Sequence, residues 1–226
     1  MLVIISCNAL AAAQTSDDKT DAKAGNWHDF ELSPEAKAAG IDGKMVIGLS
    51  VSAEGRGSGI RIYGGPMWPC ETEPKNEIED VREAVKKYLL SAKFEPATKG
   101  GRPRSSDIQI IFLLSQRFRK ANDYRQIEED LKKGINPGLA DIKGINRFAK
   151  TLPKQLMASR NSLSARLSEV QIIVDENGDV ISAGGFRTAV TELNEARELA
   201  CSAKFRPLML NQKAVRMTGT LMYGLY

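Results

Sequence analysis

The 226-residue sequence contains one histidine and three cysteines, which limits the sites that it can build. A structural zinc ion needs four ligands, which are almost always cysteine and histidine side chains. No C-x-x-C pair and no cluster of these residues occurs, so we predict neither a metal site nor a cofactor. In an oxidising compartment Cys70 and Cys201 could form a disulfide. The simpler interpretation is that Cys201 is a small buried side chain on a helix.

Aromatic residues and net charge are also sparse: 6% of the chain is aromatic, and the formal charge is +4. Basic residues gather between positions 93 and 125, with few aromatic residues among them. Proteins that bind single-stranded nucleic acids combine basic grooves with aromatic side chains on which the bases stack. We therefore predict no nucleic-acid partner, and we interpret the basic run as a solvated surface.

No stretch approaches the roughly 20 consecutive apolar residues of a transmembrane helix, so none is predicted. The N-terminal segment MLVIISCNALAAA is mostly apolar and then turns abruptly polar. Small residues at positions 11 and 13 fit a secretory cleavage site, although the basic start of such signals is missing. We predict that residues 1–26 are a signal peptide and a disordered tail, and that the protein is periplasmic. The alternatives are a buried N-terminal strand or a lipid anchor on Cys7.

The sequence also lacks a pattern of reactive side chains. His28 stands next to Asp29, but no nucleophile elbow of the G-x-S-x-G type accompanies the pair. GRGSG at residues 55–59 lacks the Lys-Ser/Thr of a phosphate-binding loop. We predict that the protein is not an enzyme. The alternative is an enzyme whose site forms between two halves of the chain from His28, Cys70 or acidic residues.

What the sequence does contain is a phrase that occurs twice, SAKFEP at residues 91–96 and SAKFRP at residues 202–207. Each copy follows a helical pattern, within residues 76–92 and 191–203, in which apolar residues recur at spacings of three and four. We interpret Phe94 and Phe205 as core anchors beneath these helices.

Strands are predicted around both helices. Hairpins with turns at residues 54–55 and 177–178 join strands at residues 45–51 and 59–63, and at residues 170–174 and 180–183. Final strands follow at residues 107–114 and 218–226. The first half has 12 additional residues, in the loop around residues 64–76. Residues 117–151 are predicted to be a helical linker, with one helix ending at Gly134 and another ending before Pro153.

This repeated unit resembles the C-terminal domain of TonB, the bacterial energy transducer. SPEAKAAGIDGKMVIGLSV, AKFEPA and GGRPRSSDIQIIF match the order of the family's motifs, and VQIIVDENGDVISA, LNEARELACSAKFRP and GTLMYGL match it again. The resemblance implies an α+β fold with domains at residues 27–116 and 152–226, each a three-stranded antiparallel sheet with helices packed on one face. Leu32 and Ser33 replace the family's Tyr-Pro, and no membrane helix or Pro-rich spacer occurs. We therefore expect a binding module rather than an energy transducer.

In this family the last strand lies at a sheet edge, whose unpaired N–H and C=O groups accept a partner strand. The resemblance implies a partner-binding site formed by Ile108, Gln109, Ile110, Ile111, Phe112, Thr220, Leu221, Met222 and Tyr223. The expected partner is an envelope protein or peptide segment, such as an outer-membrane receptor, in a role linked to envelope transport. In one alternative, these strands are covered by each other or by the linker. In another, the protein is a self-associating structural protein of the cell envelope that forms homodimers.

Overall fold

The computed structural model describes residues 19–25, 30–74, 76–114, 124–134, 139–156, 167–187 and 193–224. Within these ranges the chain is a mixed α+β protein with four α-helices and strands in several sheets. None of these four helices is long and apolar enough to cross a membrane. The predicted signal segment up to residue 18, with Cys7, lies outside the described residues, and so does His28.

The first half of the chain contains a central hairpin, a long helix and a final strand. Its elements in chain order are β1 (Lys19–Thr20), β2 (Lys23–Ala24), α1 (Pro34–Ala38), β3 (Lys44–Val51), β4 (Gly57–Gly64), β5 (Trp68–Pro69), α2 (Glu77–Ser91), β6 (Phe94–Glu95), β7 (Ala97–Lys99), β8 (Arg102–Arg104) and β9 (Ser106–Leu113). On α2, Val81, Val85 and Leu89 recur every four residues and are all buried. This spacing places one apolar stripe against the sheet, as the sequence predicted.

The remaining elements repeat this order after a connecting segment. They are α3 (Tyr124–Lys132), β10 (Ala140–Asp141), a 3-10 turn (Ile145–Phe148), β11 (Ala149–Thr151), a second 3-10 turn (Lys154–Leu156), β12 (Leu167–Val174), β13 (Val180–Arg187), α4 (Leu193–Ser202), β14 (Lys204–Phe205), β15 (Leu208–Leu210), β16 (Lys213–Val215) and β17 (Met217–Gly224). We call β3 to β9 the first unit, β12 to β17 the second unit, and residues 124–156 the connecting segment.

The two units share a strand register. β3 pairs with β9, and β12 pairs with β17, each over eight residues without a shift. Corresponding strands lie 123 residues apart before the helices and 111 residues apart after them. The first unit therefore has 12 additional residues between β4 and α2, where the sequence placed them. We call these residues 65–76 the insertion.

The repeated phrase anchors the hairpin turn of each unit. The Phe94 N–H donates to the Gly55 carbonyl with an N–O distance of 3.0 Å, and the Phe205 N–H donates to the Gly178 carbonyl at 2.8 Å. Both glycines have positive φ, 76° and 93°. A Cβ on either would lie 2.2 or 2.1 Å from the facing carbonyl oxygen, so a side chain fits neither turn. The phrase occurs twice because it closes the same turn twice.

Each unit also has its own hydrophobic core. Phe94 lies in the first and Phe205 in the second, which agrees with their interpretation as core anchors. At the positions equivalent to Val85 and Leu89 of α2, α4 carries Ala196 and Ala200, which are fully buried. Large side chains of the connecting segment, such as Ile127, lie in the second core as well. The connecting segment thus packs with the second unit.

The second sheet is larger than predicted. The first unit forms the expected three-stranded antiparallel sheet, in the order β4-β3-β9. The second forms a five-stranded sheet in the order β10-β17-β12-β13-β5, in which β10 is parallel to β17. The prediction of three strands was wrong here because strands from outside the unit pair with both of its edges.

Two predicted local structures are also replaced. The helix predicted before Pro153 does not form, and residues 140–151 instead make β10, a 3-10 turn and β11. Ile142 and Ile145, whose spacing suggested that helix, are buried in the second core without it. Residues 19–25, predicted to belong to a disordered tail, pair through β1 with β7 and through β2 with β6. Ala22, which lies between β1 and β2 in the sequence, is fully buried in the first core. This burial explains why the segment is folded rather than disordered.

Candidate functional site

The edges of the two sheets are where the units differ. A strand at a sheet edge presents a row of backbone N–H and C=O groups without partners, which another chain can use. The edge strands of the first unit are β4 and β9, and the corresponding strands of the second unit are β13 and β17. Among the described residues, β13 and part of β17 are covered, β4 is irregular, and β9 is open.

The insertion covers the edge of β13. β5 pairs antiparallel with β13. On one side of β5, the Cys70 N–H donates to the Ile181 carbonyl at an N–O distance of 3.0 Å, and on the other the Gly65 N–H donates to the Gly185 carbonyl. The 12 residues that distinguish the first unit therefore supply an edge strand to the second.

A disulfide holds the insertion against α4. Cys70 and Cys201 are bonded, with Cα atoms 5.7 Å apart and a sequence separation of 131 residues. This corrects the interpretation of Cys201 as an unpaired buried side chain. That interpretation failed because the pairing brings together two distant segments, a loop and a helix, with no local signal in the sequence. The bond also occupies the sulfur of Cys70, so an enzymatic site that used this thiol as a nucleophile has no support.

A buried arginine holds the same segment. The guanidinium of Arg197 on α4 lies 4.5 Å from the centre of the Trp68 ring. The group also donates to the carbonyls of Pro69 and Thr72. Burial lowers the pKa of Arg197, and the negative charge of Glu198 opposes that shift. Arginine nevertheless stays charged, so the site keeps its cation–π contact and its charge-assisted hydrogen bonds.

The connecting segment covers the first part of the β17 edge. β10 pairs in parallel with β17: the Ala140 N–H donates to the Arg216 carbonyl and the Ile142 N–H to the Thr218 carbonyl, at 3.0 and 2.8 Å. Further along, Thr220, Leu221 and Met222 border a cleft of about 500 Å³ between β17 and the connecting segment. The alternative that the linker covers the last strand thus holds for part of β17.

The outer edge of β4 is irregular. The pairing of β4 with β3 shifts register twice within eight residues. Such bulges bend a strand and increase its twist, so its outer groups no longer form the straight row that an added strand needs. β4 also leads directly into the contact between Gly65 and Gly185 of the second unit. This edge is therefore a poor acceptor.

No described strand covers the outer edge of β9 at any point along its length. β9 pairs with β3 without a shift, and no other strand of the described residues pairs with it. The Leu114 N–H donates to the Gly43 carbonyl at an N–O distance of 3.0 Å. This bond shows that every second residue before Leu114 points its backbone groups toward β3, beginning with Phe112. Because antiparallel bonding alternates along a strand, the N–H and C=O groups of Asp107, Gln109 and Ile111 point away from β3. They form a regular row that can accept an extended chain.

The nine predicted partner-binding residues do not form one site, because β9 and β17 belong to different sheets. Those that pack in or against the cores are Ile108, Ile110, Phe112, Leu221 and Tyr223. The alternate positions, on the opposite faces of the two strands, are Gln109, Ile111, Thr220 and Met222. The first group can offer a partner mainly its backbone. Of the five predicted residues on β9, those whose amides face outward are Gln109 and Ile111.

No family model matches this chain, and no curated protein matches it either. Among the described residues, no group of three or more His, Cys, Asp or Glu side chains is placed to hold a metal ion. The residues that decide which edge is closed, Trp68 and Arg197, were not identified from the sequence. The one signal that pointed to them was the unequal length of the two halves, because the additional residues of the first half include Trp68.

Proposed function

We propose that this protein is a non-enzymatic binding protein of the bacterial envelope that captures an extended protein segment along β9. The observation that carries the proposal is the edge itself, eight regular residues of β9 that are paired on one side only among the described strands. At the corresponding place in the second unit, β10 covers the first part of the β17 edge. The captured segment would become a fourth strand of the first sheet.

The repeated architecture supports a relationship to the C-terminal domain of TonB. Strand, hairpin, helix, Phe-x-Pro turn and last strand follow in the same order in both units. The shared register of the two sheets supports two copies of one building block. On this proposal the chain is a tandem module of that family, in which the first copy keeps the strand-accepting edge.

The disulfide supports a location in the periplasm. Disulfides persist in oxidising compartments and are rare in the reducing cytosol. The bond between Cys70 and Cys201 fixes the insertion that closes the second sheet. The proposed export of the chain would place both the disulfide and the open edge among envelope proteins.

The surroundings of the edge favour particular segments. In strand addition, main-chain hydrogen bonds provide affinity and alternate side chains provide specificity. An added strand would place one set of side chains beside Ile111 and the other set beside Ile108, both of which are partly exposed. Cross-strand pairs of β-branched and aromatic residues are stabilising. We therefore expect captured segments to carry such residues at alternating positions.

Selection from a displayed library of random twelve-residue peptides, in oxidising buffer, tests this proposal. We expect the wild-type protein to enrich peptides with alternating β-branched or aromatic residues. Binding should fall by at least about tenfold in the Ile111→Pro variant, because proline removes an outward N–H that an added strand would use. Isothermal titration with a synthetic selected peptide measures the loss.

Two matched variants separate backbone from side chain. Ile111→Ala retains the outward N–H and should weaken binding less than Ile111→Pro. Met222→Pro makes the equivalent change in the second unit and should leave the affinity unchanged. The proposal is wrong if no peptide distinguishes the wild-type protein from Ile111→Pro. Concentration-dependent dimers in sedimentation that Ile111→Pro abolishes would instead identify a second copy of this chain as the strand that pairs with β9.

A further inference from the structure

The first sheet has a groove on the face opposite its core. Its volume is about 510 Å³, and it crosses all three strands. The side chains and backbone that line it include Gly48, Ser50, Arg61, Tyr63, Asp107 and Gln109. Small-molecule sites are concave, with volumes of about 300–1,000 Å³, and a few polar groups in them fix the orientation of the ligand.

An aromatic ring, that of Tyr63, lines this groove. A Cβ on Gly48 would be 2.6 Å from Cε2 of Tyr63, so the ring lies directly across the backbone of β3. Tyr63 is nevertheless 43% exposed. Few large hydrophobic side chains among the described residues are exposed to this extent. A glycine in the middle of a strand often marks the close approach of another group. Here it leaves room for the ring to approach the strand closely while 43% of the residue remains exposed to solvent.

The polar groups around the ring are balanced in charge. The Ser50 hydroxyl donates to Oδ1 of Asp107 with an O–O distance of 2.5 Å, which orients the carboxylate. Within the described residues, the side chains of Arg61 and Gln109 form no hydrogen bond. The groove therefore offers one guanidinium, one carboxylate and one amide, which together can both donate and accept hydrogen bonds.

The equivalent face of the second unit is closed. Its residues at the positions of Gly48, Ser50 and Asp107 are Gln171, Ile173 and Thr218, and all three are buried. Met67 of the insertion packs with Ile173 there. At these positions the face is an internal interface in the second unit and an open polar groove in the first.

We propose that this groove binds a neutral glycan chain. Sugar rings present apolar C–H faces that pack on an exposed aromatic ring, and their hydroxyls both donate and accept hydrogen bonds. A platform of Tyr63 flanked by amide, carboxylate and guanidinium groups fits that chemistry. A strongly anionic ligand would be repelled by the carboxylate of Asp107, and a strongly cationic one by the guanidinium of Arg61. The glycan would lie across the sheet face, whereas the proposed peptide lies along the β9 edge, so the two proposals stand independently.

Titration of the ¹⁵N-labelled protein with cellotetraose, tetra-N-acetylchitotetraose and maltotetraose tests the inference, with dextran sulfate as an anionic probe. We expect at least one neutral oligosaccharide to bind with a dissociation constant of about 1 mM or below and to shift the amide signals of Gly48 and Gln109. Tyr63→Ala should weaken binding by about tenfold or more, and Tyr63→Phe by no more than about twofold.

Two further variants show whether the groove itself is responsible. Gly48→Ala should displace the Tyr63 ring and weaken glycan binding. Ile111→Pro should leave glycan binding unchanged although it weakens peptide capture. The inference is overturned if no neutral oligosaccharide binds up to about 10 mM. It is equally overturned if Tyr63→Ala binds as well as the wild-type protein, or if dextran sulfate alone binds.

Discussion

In the second unit, β13 and β17 each pair with a short strand from elsewhere in the chain, whereas β4 and β9 of the first unit have no such partner among the described strands. The central strands of the two units are otherwise paired in the same register. The difference arises outside the repeated elements, in the insertion and the connecting segment. In the second unit these segments cover the edge of β13 and the first part of the β17 edge, whereas among the described residues the first unit keeps the β9 edge and part of one sheet face exposed.

On the proposed function, one repeated unit would bind a partner while the other makes contacts within the chain. An exposed edge is a liability for aggregation as well as a means of binding, so a chain with two copies benefits from closing one. The second unit holds the insertion through a disulfide and a buried arginine. Substitutions in the feature that both units share should have larger effects than substitutions in the features that distinguish them.

The largest effect is expected from truncating the shared phenylalanine. Phe94→Ala and Phe205→Ala should each lower the free energy of unfolding by about 3–5 kcal/mol, because each leaves a cavity in the core of its unit. Urea denaturation measures the loss. Met209→Ala is the control, since Met209 is 55% exposed and its truncation should cost less than about 0.5 kcal/mol. A tolerated substitution at either phenylalanine would show that the phrase does not anchor that unit.

Removing the disulfide should come next. The double variant Cys70→Ser, Cys201→Ser should lose about 2–4 kcal/mol, because the bond no longer restricts the unfolded chain across its 131-residue separation. Adding dithiothreitol to the wild-type protein should reproduce that loss and should not affect the double variant. Amides of β13 should also exchange faster while those of β9 stay the same. Equal changes in both strands would contradict the assignment of the bond to one edge.

A smaller loss is expected from Arg197→Met. This variant removes the cation–π contact with Trp68 and the hydrogen bonds to the insertion, at a cost of about 1–3 kcal/mol. Arg216→Met is the matched control. Arg216 pairs with Glu176 at the surface, where both side chains are 46% exposed, so its loss should cost less than about 1 kcal/mol. Thermal unfolding of the two variants side by side would refute the role of Arg197 if their midpoints fell equally.

The smallest effect is expected at the ion pair between the first unit and β10. Lys44 Nζ lies 3.1 Å from Asp141 Oδ2, and the carboxylate is 44% exposed. Asp141→Asn should cost less than about 1 kcal/mol at low ionic strength, and about 1 M salt should remove the difference. Denaturation at two salt concentrations checks this. A loss that persists in high salt would mean that the pair is not screened by solvent.

The repeated elements could be predicted because their signals are local. The Asn177-Gly178 turn, the apolar spacing on α2 and the paired SAKF phrases each depend on neighbouring residues. Closure of the edges could not be predicted, because a two-residue strand such as β5 has no periodic pattern. The spacing of Ile142 and Ile145 predicted a helix wrongly, since contact with the second core determines that segment. The site was therefore predicted as two equivalent strands, and the structure distinguishes them.

Hydrogen exchange of equivalent amides in the two units tests the central claim most directly. Asp107 and Thr218 occupy the same position in β9 and β17, but only the backbone of Thr218 pairs with β10 among the described strands. We predict that the Asp107 amide exchanges on the order of 100-fold faster than the Thr218 amide, and that Gln109 and Ile111 are as unprotected as Asp107. Equal protection of Asp107 and Thr218 in the free protein would show that the β9 edge is closed and would contradict the account.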